Sequence, residues 1–153
     1  MTKIAVIGAG PGGYEAAIRA AQMGAEVVLI EADRPGGTCL NRGCIPTKTL
    51  WKNAEIMENI HRKAEFGLLM DECKIDPIRL NERKCEVVEK IVGGVEFLIG
   101  SYPNIEYLKG FGSFVDPHTI HVKLNDGSEK DVTADYIIIA TGSKPSVPPI
   151  AGT

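Results

Sequence analysis

Three spaced glycines directly behind a short apolar run limit what the first thirty residues of this chain can form. The run Lys3–Ile7 predicts a strand buried on both faces, and the segment Gly8–Gly13, with glycine at its first, third and sixth positions, follows it. The helix-forming stretch Tyr14–Met23 comes next, and the apolar run Glu26–Ile30 predicts a second buried strand. A strand, a helix and a second strand in this order form a right-handed crossover unit of a parallel sheet.

The spacing of these glycines indicates a dinucleotide site. Gly8, Gly10 and Gly13 permit a tight turn, close backbone approach to a pyrophosphate and close packing of the helix on the strand. The free N–H groups and the dipole at the helix N-terminus favour the phosphate charge. Glu31 ends the second strand 18 residues after Gly13, where a carboxylate can accept hydrogen bonds from a ribose diol. We therefore expect a bound dinucleotide rather than an empty structural turn, and the motif alone does not distinguish NAD from FAD.

The middle of the chain predicts two long helices. The first covers residues 46–63, because Pro46 suits a first helical turn and apolar residues recur at helical spacing. Its apolar stripe consists of Leu50, Ala54, Met57 and His61. The second helix covers residues 76–99, and its core face consists of Val87, Val88, Ile91, Val92, Val95 and Leu98. Residues 33–43, which precede both helices and hold three glycines, are expected to form a loop.

After residue 104 the apolar period changes to two, which is typical of strands. The short strands predicted here are residues 105–109, 111–115, 119–124 and 129–134. Asn125–Gly127 predicts the hairpin turn between the last two of these strands. Residues 136–141 form a continuous apolar run and predict a last buried strand, and the aperiodic tail 144–153 predicts a linker.

These elements predict an α/β fold, namely a Rossmann-like parallel sheet with flanking helices and a small antiparallel β-meander. The expected order of the parallel strands is 105–109, 26–30, 3–7 and 136–141. A chain of 153 residues is long enough to bury a real core and fits one domain.

Two cysteines separated by four residues form the second candidate site. Between Cys39 and Cys44 the chain must curl before a disulfide could form, and Asn41 and Gly43 are residues that permit such a curl. Cys44 lies just before the first long helix, and a helix N-terminus stabilises a thiolate. Cys39, in the preceding loop, is the better placed of the two to meet an incoming substrate.

Charge and spacing favour a redox-active pair over three alternatives. Arg42 and Lys48 add positive charge, which favours a thiolate. A zinc site would need a second close pair, but Cys73 and Cys85 are separated by eleven residues with no histidine near them. Two inert thiols would not need this glycine-rich setting, and a structural disulfide would be unusual in a reducing compartment. The remaining two cysteines are expected to be small buried or half-buried residues.

Composition excludes several classes of protein. The formal net charge is −3, so no basic surface for nucleic acid is expected. No apolar run reaches the ~18 residues that span a bilayer, and the first apolar run meets glycines too soon to be a signal peptide. Four cysteines without an export signal indicate a reducing compartment, so we expect a cytoplasmic protein, and we expect no metal site.

Together these segments resemble the N-terminal part of the flavin-dependent pyridine nucleotide-disulfide oxidoreductases. The resemblance runs over the whole chain and includes the glycine segment, Glu31, Gly36–Lys48, Lys109–Gly112 and Ala140–Ser143. Within that family, Leu40 and Ile45–Lys48 resemble the branch that oxidises dihydrolipoamide. Arg42 is a departure, since many members of the family carry valine at that position.

The resemblance implies that the dinucleotide is FAD. The residues that it assigns to the cofactor are Gly8, Gly10, Pro11, Gly12 and Gly13 at the pyrophosphate, Glu31 at the adenosine ribose, Gly112 at the adenine end, and Thr141 and Gly142 close to the cofactor. It also assigns to the cofactor site, without a more specific place, Ala32, Gly37, Thr38, Gly43, Ala140 and Ser143. By the same resemblance, Cys44 lies against the flavin, Cys39 exchanges with the substrate, and Lys48 lies near the flavin and tunes its reduction. All three are catalytic and also contact the cofactor.

The reaction implied by the resemblance is the oxidation of protein-bound dihydrolipoamide by NAD⁺, through the cysteine pair and FAD. Two other functions stay open, namely an NADPH-dependent reductase of another disulfide or of a metal ion, and a non-catalytic FAD-binding module. Residues 1–153 would be the FAD-binding domain, with 144–153 as a linker toward an absent NAD-binding domain. We therefore expect the chain alone to be inactive.

The expected partners follow from the same resemblance. They are a lipoylated carrier domain of a 2-oxo acid dehydrogenase or glycine cleavage complex, and a second copy of the complete enzyme in a homodimer. Neither nucleic acid nor a membrane is expected as a partner.

Overall fold

Six strands form one sheet, and four of them run parallel. The computed structural model describes residues 1–152, and its strands are β1 (Lys3–Ile7), β2 (Glu26–Glu31), β3 (Ile105–Asp116), β4 (Thr119–Leu124), β5 (Glu129–Thr133) and β6 (Tyr136–Ile139). The helices are α1 (Pro11–Gln22), α2 (Gly37–Asn41), α3 (Cys44–His61) and α4 (Pro77–Gly100), with a 3-10 turn at Lys63–Phe66. The sheet order is β5-β4-β3-β2-β1-β6, parallel from β3 to β6 and antiparallel from β3 to β5. The order predicted for the parallel strands is confirmed.

The two faces of the sheet are covered by different layers, because side chains alternate along each strand. On one face, Val6 and Leu29 pack with Ala17 of α1 and Ile99 of α4. The opposite face joins β1 and β2 to the meander through the buried residues Ala5, Val28, Ile30, Ile120 and Val122. The predicted fold class, with flanking helices and a small antiparallel meander, is confirmed.

β3 is a single strand that belongs to both parts of the sheet. It pairs in parallel with β2 as far as Lys109 and antiparallel with β4 from Gly110 onward. A Cβ at Gly110 would lie 2.5 Å from the carbonyl oxygen of Lys123, so only glycine allows the strands to approach this closely here. The prediction of separate strands at 105–109 and 111–115 is wrong, because this glycine lets one strand pass into the meander without a break.

α3 packs on α4 through a different side from the predicted one. The side turned away from solvent includes Ile45, Thr49, Asn53 and Met57, which follow one another at four-residue spacing. Arg83 of α4 donates a 3.5 Å hydrogen bond to the carbonyl oxygen of Thr49, which places this side against α4. Of the predicted stripe, Leu50, Ala54 and His61 are exposed, so that prediction is wrong for all but Met57. Two adjacent stripes of α3 carry apolar residues, and periodicity alone does not decide which of them meets α4.

α4 begins where the sequence predicts it. Asp76 is its N-cap, and the Asp76 carboxylate accepts hydrogen bonds of 2.9 and 3.1 Å from two backbone N–H groups of the first turn. Val92 and Ile99 are buried seven residues apart, at two helical turns. Leu98 is exposed, so its prediction as a core residue is wrong and Ile99 takes that place.

The last strand is shorter and more exposed than predicted. The expected buried strand covers 136–141, but β6 ends at Ile139. Tyr136 is 66% exposed and Ile139 is 65% exposed, because β6 is an edge strand that pairs with β1 alone. Residues 140–152 hold no helix or strand, and Thr153, the end of the predicted linker, lies outside the described residues.

Tyr107 carries a buried hydroxyl that has no hydrogen-bond partner within residues 1–152. The tyrosine lies on β3 against the helical layer. Burial raises the pKa of Tyr107 to about 12, and the carboxylates of Glu31 and Glu96 add to this shift. The native state therefore holds the phenol proton at a pH where the unfolded chain releases it.

We expect Tyr107→Phe to leave the free energy of unfolding at pH 7 unchanged or up to about 1 kcal/mol higher, because it removes an unpaired buried hydroxyl without changing the shape. The wild type should lose stability as the pH rises from about 10 toward 12, and the variant should lose less. Urea unfolding of both proteins at pH 7 and pH 11 measures this. A loss above ~1 kcal/mol at pH 7 would mean that the hydroxyl has a partner.

Candidate functional site

The glycine segment after β1 divides into two pairs with different roles. Gly8 has φ 101°, and a Cβ there would lie 2.3 Å from the carbonyl oxygen of Ala140. A Cβ at Gly13 would lie 1.8 Å from the Gly8 carbonyl oxygen. The fold itself therefore requires these two glycines. For Gly10 the nearest atom to an added Cβ is 3.8 Å away, and for Gly12 the described residues place none within 4 Å.

Gly10 and Gly12 thus leave a space that the fold does not fill. α1 begins at Pro11 with Gly10 as its N-cap, and no side chain within residues 1–152 caps this helix end. The first N–H groups of a helix and its dipole attract an anionic group, and a missing Cβ lets that group come close to the backbone. The residues present therefore fit a pyrophosphate held at the N-terminus of α1.

Glu31 joins the glycine segment to the chain that follows β2. Its Oε2 accepts a 2.7 Å hydrogen bond from the N–H of Ala9, and its Oε1 accepts a 2.8 Å hydrogen bond from the N–H of Asp33. These bonds fix the carboxylate and leave further lone pairs on both oxygens for a ribose diol. Ala32 lies between Glu31 and Asp33 in the sequence, directly after the end of β2.

The predicted loop at 33–43 contains a short helix, α2, so the prediction of a loop throughout is wrong. The side-chain amide of Asn41 donates to the carbonyl oxygens of Pro35 at 3.1 Å and Gly37 at 3.0 Å, which closes the turn. Leu40 is buried against α4. The helical turn is stabilised by the hydrogen bonds of Asn41 and the packing of Leu40, and the glycine content of the segment does not predict either contact.

α2 begins directly against the glycine segment. The N–H of Gly36 donates to the carbonyl oxygen of Ala9 at 2.7 Å. Gly37 has φ 52°, and a Cβ there would lie 2.8 Å from the Cα of Gly10. Gly37 and Thr38 are therefore brought beside the space in front of α1.

The two cysteines lie on either side of the connection between α2 and α3. Cys39 lies in α2, Cys44 is the first residue of α3, and both are free thiols. A hydrogen bond with the Cys44 side chain raises the pKa of the Cys39 thiol above its usual range, and burial adds to the shift. A Cβ at Gly43 would lie 3.0 Å from the carbonyl oxygen of Thr38, so the connection between the helices is tight. The chain therefore curls as the cysteine spacing requires. Cys44 is exposed and Cys39 is half-buried in α2, so exposure in this structure does not favour Cys39 as the cysteine that meets a substrate, and that assignment stays a prediction.

The two cations expected near the cysteines, Arg42 and Lys48, interact with different groups. The guanidinium of Arg42 lies 2.6 Å from the carboxylate of Asp33. Lys48, one turn along α3 from Cys44, has no carboxylate partner in the described part of the chain, and its charge works to lower the pKa of Cys39. The sequence did not indicate that Asp33 would take up the charge of Arg42.

The remaining predicted cofactor residues lie at the far end of the chain. The N–H of Ala140 donates to the carbonyl oxygen of Ile7 at 2.8 Å, so Ala140 lies beside Gly8, and Thr141, Gly142 and Ser143 follow it at the surface. A Cβ at Gly112 would lie 3.1 Å from Ile120 Cγ2, so packing inside the sheet layers already explains this glycine.

The other cysteines lie apart from this site. Cys73 is half-buried, with its thiol 3.9 Å from the sulfur of Met57, as predicted for a small packed residue. Cys85 is exposed on α4, so its prediction as a buried or half-buried residue is wrong. Residues 1–152 contain no group of three or more histidine, cysteine, aspartate or glutamate side chains placed to hold a metal ion. None of the helices in this range is long and apolar enough to cross a membrane.

One further contact around the site was not anticipated. Arg34, in the segment between β2 and α2, forms a two-point ion pair with Glu89 of α4, at 2.8 and 2.7 Å. This contact raises the pKa of Arg34 and lowers that of Glu89. Both residues are charged and neither lies in a motif, so only the packing of α4 beside this segment reveals the pair.

Comparison with known proteins places the whole chain in one family. The model described as pyridine nucleotide-disulphide oxidoreductase matches residues 2–153. The chain is 44% identical over 144 residues to a dihydrolipoyl dehydrogenase of Geobacillus stearothermophilus, covering 94% of this chain and 30% of that protein. It is 45% identical over 143 residues to a dihydrolipoamide dehydrogenase of Chaetomium thermophilum, covering 92% and 28%.

Solved structures give the same result for the fold. LpdA of Mycobacterium tuberculosis matches with a TM-score of 0.89 and 26% identity, covering 97% of this chain and 33% of that chain. A Cu(II) complex of the HOCl-induced flavoprotein disulfide reductase RclA of Escherichia coli matches with a TM-score of 0.81 and 31% identity, covering 97% and 30%. The chain thus spans about 30% of the length of the curated relatives that it matches.

Proposed function

Because the chain belongs to the pyridine nucleotide-disulphide oxidoreductase family, we propose that it is the FAD-binding, redox-active disulfide part of a dihydrolipoamide dehydrogenase. The observation that carries the proposal is the contact between the Cys39 and Cys44 thiols beside the open N-terminus of α1. Two thiols in contact can lose two electrons and two protons and form one S–S bond.

The residues that would hold FAD lie around this contact. Gly10, Gly12 and the N-terminus of α1 would receive the pyrophosphate, and Glu31 would receive the adenosine ribose. When bound, FAD would supply a two-electron acceptor next to the cysteine pair. The contacts assigned to the residues from Ala140 to Ser143 and to Gly112 remain predictions.

The cysteines would perform the exchange with substrate. One thiolate of dihydrolipoamide would attack the sulfur of Cys39 in the disulfide form, and Cys44 would leave as a thiolate. The second substrate thiol would then displace Cys39, which leaves lipoamide oxidised and the pair reduced. Lys48 would hold positive charge beside the pair and stabilise the thiolate that leaves.

The partners follow from this proposal. NAD⁺ would be the co-substrate of the complete enzyme, and the reducing partner would be a lipoylated carrier domain of a 2-oxo acid dehydrogenase or glycine cleavage complex. The complete enzyme would be a homodimer.

We expect the thiol count of the native chain to differ by two between the air-oxidised and the mildly reduced protein, because Cys39 hydrogen-bonds with Cys44, whereas Cys73 lies against Met57 and no cysteine partner is found for Cys85 within residues 1–152. Titration of free thiols before and after reduction measures the difference. Cys73→Ser should keep a difference of two, and Cys39→Ser should give zero. A zero difference in the wild type would contradict the proposal.

A second candidate is a reductase of another disulfide or of a metal ion, which the likeness to RclA supports. The two candidate functions can be distinguished by measuring which oxidant restores the Cys39–Cys44 disulfide of the reduced chain fastest. Lipoamide should restore the disulfide faster than glutathione disulfide or Cu(II) if the first candidate is correct. The opposite order would favour the second.

A further inference from the structure

Arg42 stands between the two cysteines in sequence, yet its charge is held elsewhere. It follows Cys39 by three residues and precedes Cys44 by two, so its backbone lies in the short connection between the two cysteine-bearing helices. Its Nη2 atom lies 2.6 Å from Oδ2 of Asp33. The two side chains are 69% and 54% exposed, so the ion pair lies at the surface beside the site.

Asp33 is held in a position to receive this charge. Its backbone N–H donates a 2.8 Å hydrogen bond to Oε1 of Glu31, the carboxylate at the end of β2. The neighbouring Arg34 is bound on the other side by the two-point contact with Glu89. Asp33 is therefore fixed through its backbone, while its carboxylate remains directed at Arg42.

We propose that Asp33 is a positioning residue that keeps the charge of Arg42 away from the Cys39–Cys44 pair, leaving Lys48 as the cation that acts on it. A closed ion pair presents a dipole, whose field falls off faster with distance than that of a free cation. The inference rests on the proposed redox role of the pair, since proton loss sets how fast a thiol exchanges.

The charges that act on Cys39 agree with this assignment. Lys48 is the cation that works to lower the pKa of the Cys39 thiol. Arg42 is three residues from Cys39 in the sequence, whereas Lys48 is nine residues away. The charge of Arg42, however, is paired with the carboxylate of Asp33. Releasing Arg42 would add a second cation near the pair.

The test measures alkylation of the pair by iodoacetamide in a Cys73→Ser/Cys85→Ser background, where Cys39 and Cys44 are the remaining thiols. Each thiolate forms a C–S bond and releases iodide. Asp33→Asn should raise the rate constant at pH 7 and low salt by about two- to fourfold and move the pH midpoint downward, because it frees Arg42. In 1 M salt the increase should disappear, since the Debye length falls to about 3 Å.

Three variants separate the charge of Arg42 from other effects. Arg42→Gln alone should change the rate little, and Asp33→Asn/Arg42→Gln should return it to the wild-type value. Glu65→Gln, which frees Arg62 at a distant surface, should have no effect. An unchanged rate in Asp33→Asn overturns the proposal, and so does an increase that persists in the double variant.

The proposed function fails independently of this result. If the thiol count of the background protein does not differ by two on oxidation, the redox role is wrong, whatever the alkylation rates. If that count does differ by two and the Asp33 variants behave like the wild type, only the positioning role is wrong. Circular dichroism of each variant confirms that it is folded, and Asn at position 33 keeps the N–H that binds Glu31.

Discussion

Replacing Gly13 by alanine should destabilise the fold by on the order of 3 kcal/mol or more. The added Cβ would lie 1.8 Å from the carbonyl oxygen of Gly8, and that atom belongs to the backbone rather than to a flexible side chain. Gly8 cannot move away easily, because its own N–H donates a 2.7 Å hydrogen bond to the carbonyl oxygen of Ile30. The close contact between α1 and the end of β1 must therefore open.

Urea unfolding followed by circular dichroism measures this effect, and Gly12→Ala is the matched control. A Cβ at Gly12 has no described atom within 4 Å, and alanine favours a helix over glycine by about 1 kcal/mol. Gly12→Ala should therefore be as stable as the wild type or slightly more stable. Equal stability of the Gly13 and Gly12 variants would show that the tight contact is not required.

Replacing Gly10 by valine should weaken FAD binding by about 100-fold, or ~2.7 kcal/mol, and should lower the free energy of unfolding by no more than about 1 kcal/mol, the cost of a poorer helix N-cap. Gly10 has φ −67° and ψ 178°, which valine adopts without strain, and the nearest atom to its Cβ is the Cα of Gly37 at 3.8 Å. The valine methyl groups would instead occupy the space in front of α1, where the pyrophosphate is proposed to bind.

Titration of the purified chain with FAD, followed by flavin fluorescence, gives the affinity, and urea unfolding gives the stability. Gly93→Val is the matched control, because a Cβ at Gly93 of α4 also meets open space but lies outside the proposed site. It should keep the wild-type affinity for FAD. An unchanged affinity in Gly10→Val would remove the pyrophosphate from the N-terminus of α1.

The sequence predicted correctly those elements of the fold that depend on residues close together in the chain. The apolar runs of β1 and β2 and the glycines between them define a crossover unit within thirty residues. Asp76 marks the start of α4 by chemistry that involves only its own first turn. The order of the four parallel strands followed from these pieces and from the family resemblance.

The features that the sequence did not reveal depend on contacts between distant segments. The exposure of Leu50 depends on which side of α3 meets α4. The continuity of β3 depends on how closely Gly110 approaches Lys123 across the strand pair. The exposure of β6 depends on its place at the edge of the sheet, which its apolar composition does not indicate.

The candidate site shows the same division. The spacing of the cysteines predicted that the chain curls between them, and Cys39 and Cys44 are in contact. The sequence also predicted Arg42 as a cation for the pair, but the nearness of a positive charge in sequence does not say where that charge points. Asp33 binds it, and this depends on how the chain folds between the end of β2 and the end of α2.

The position of β6 has a consequence for how the protein is made. β6 pairs directly with β1, and the backbone N–H of Lys3 donates a 2.8 Å hydrogen bond to the carboxylate of Asp135, 132 residues later in the chain. At a synthesis rate of about 5–20 residues per second, roughly 7 to 26 s separate the two strands on the ribosome. During that time one side of β1 has no partner strand, so the nascent chain is the state most open to mispairing.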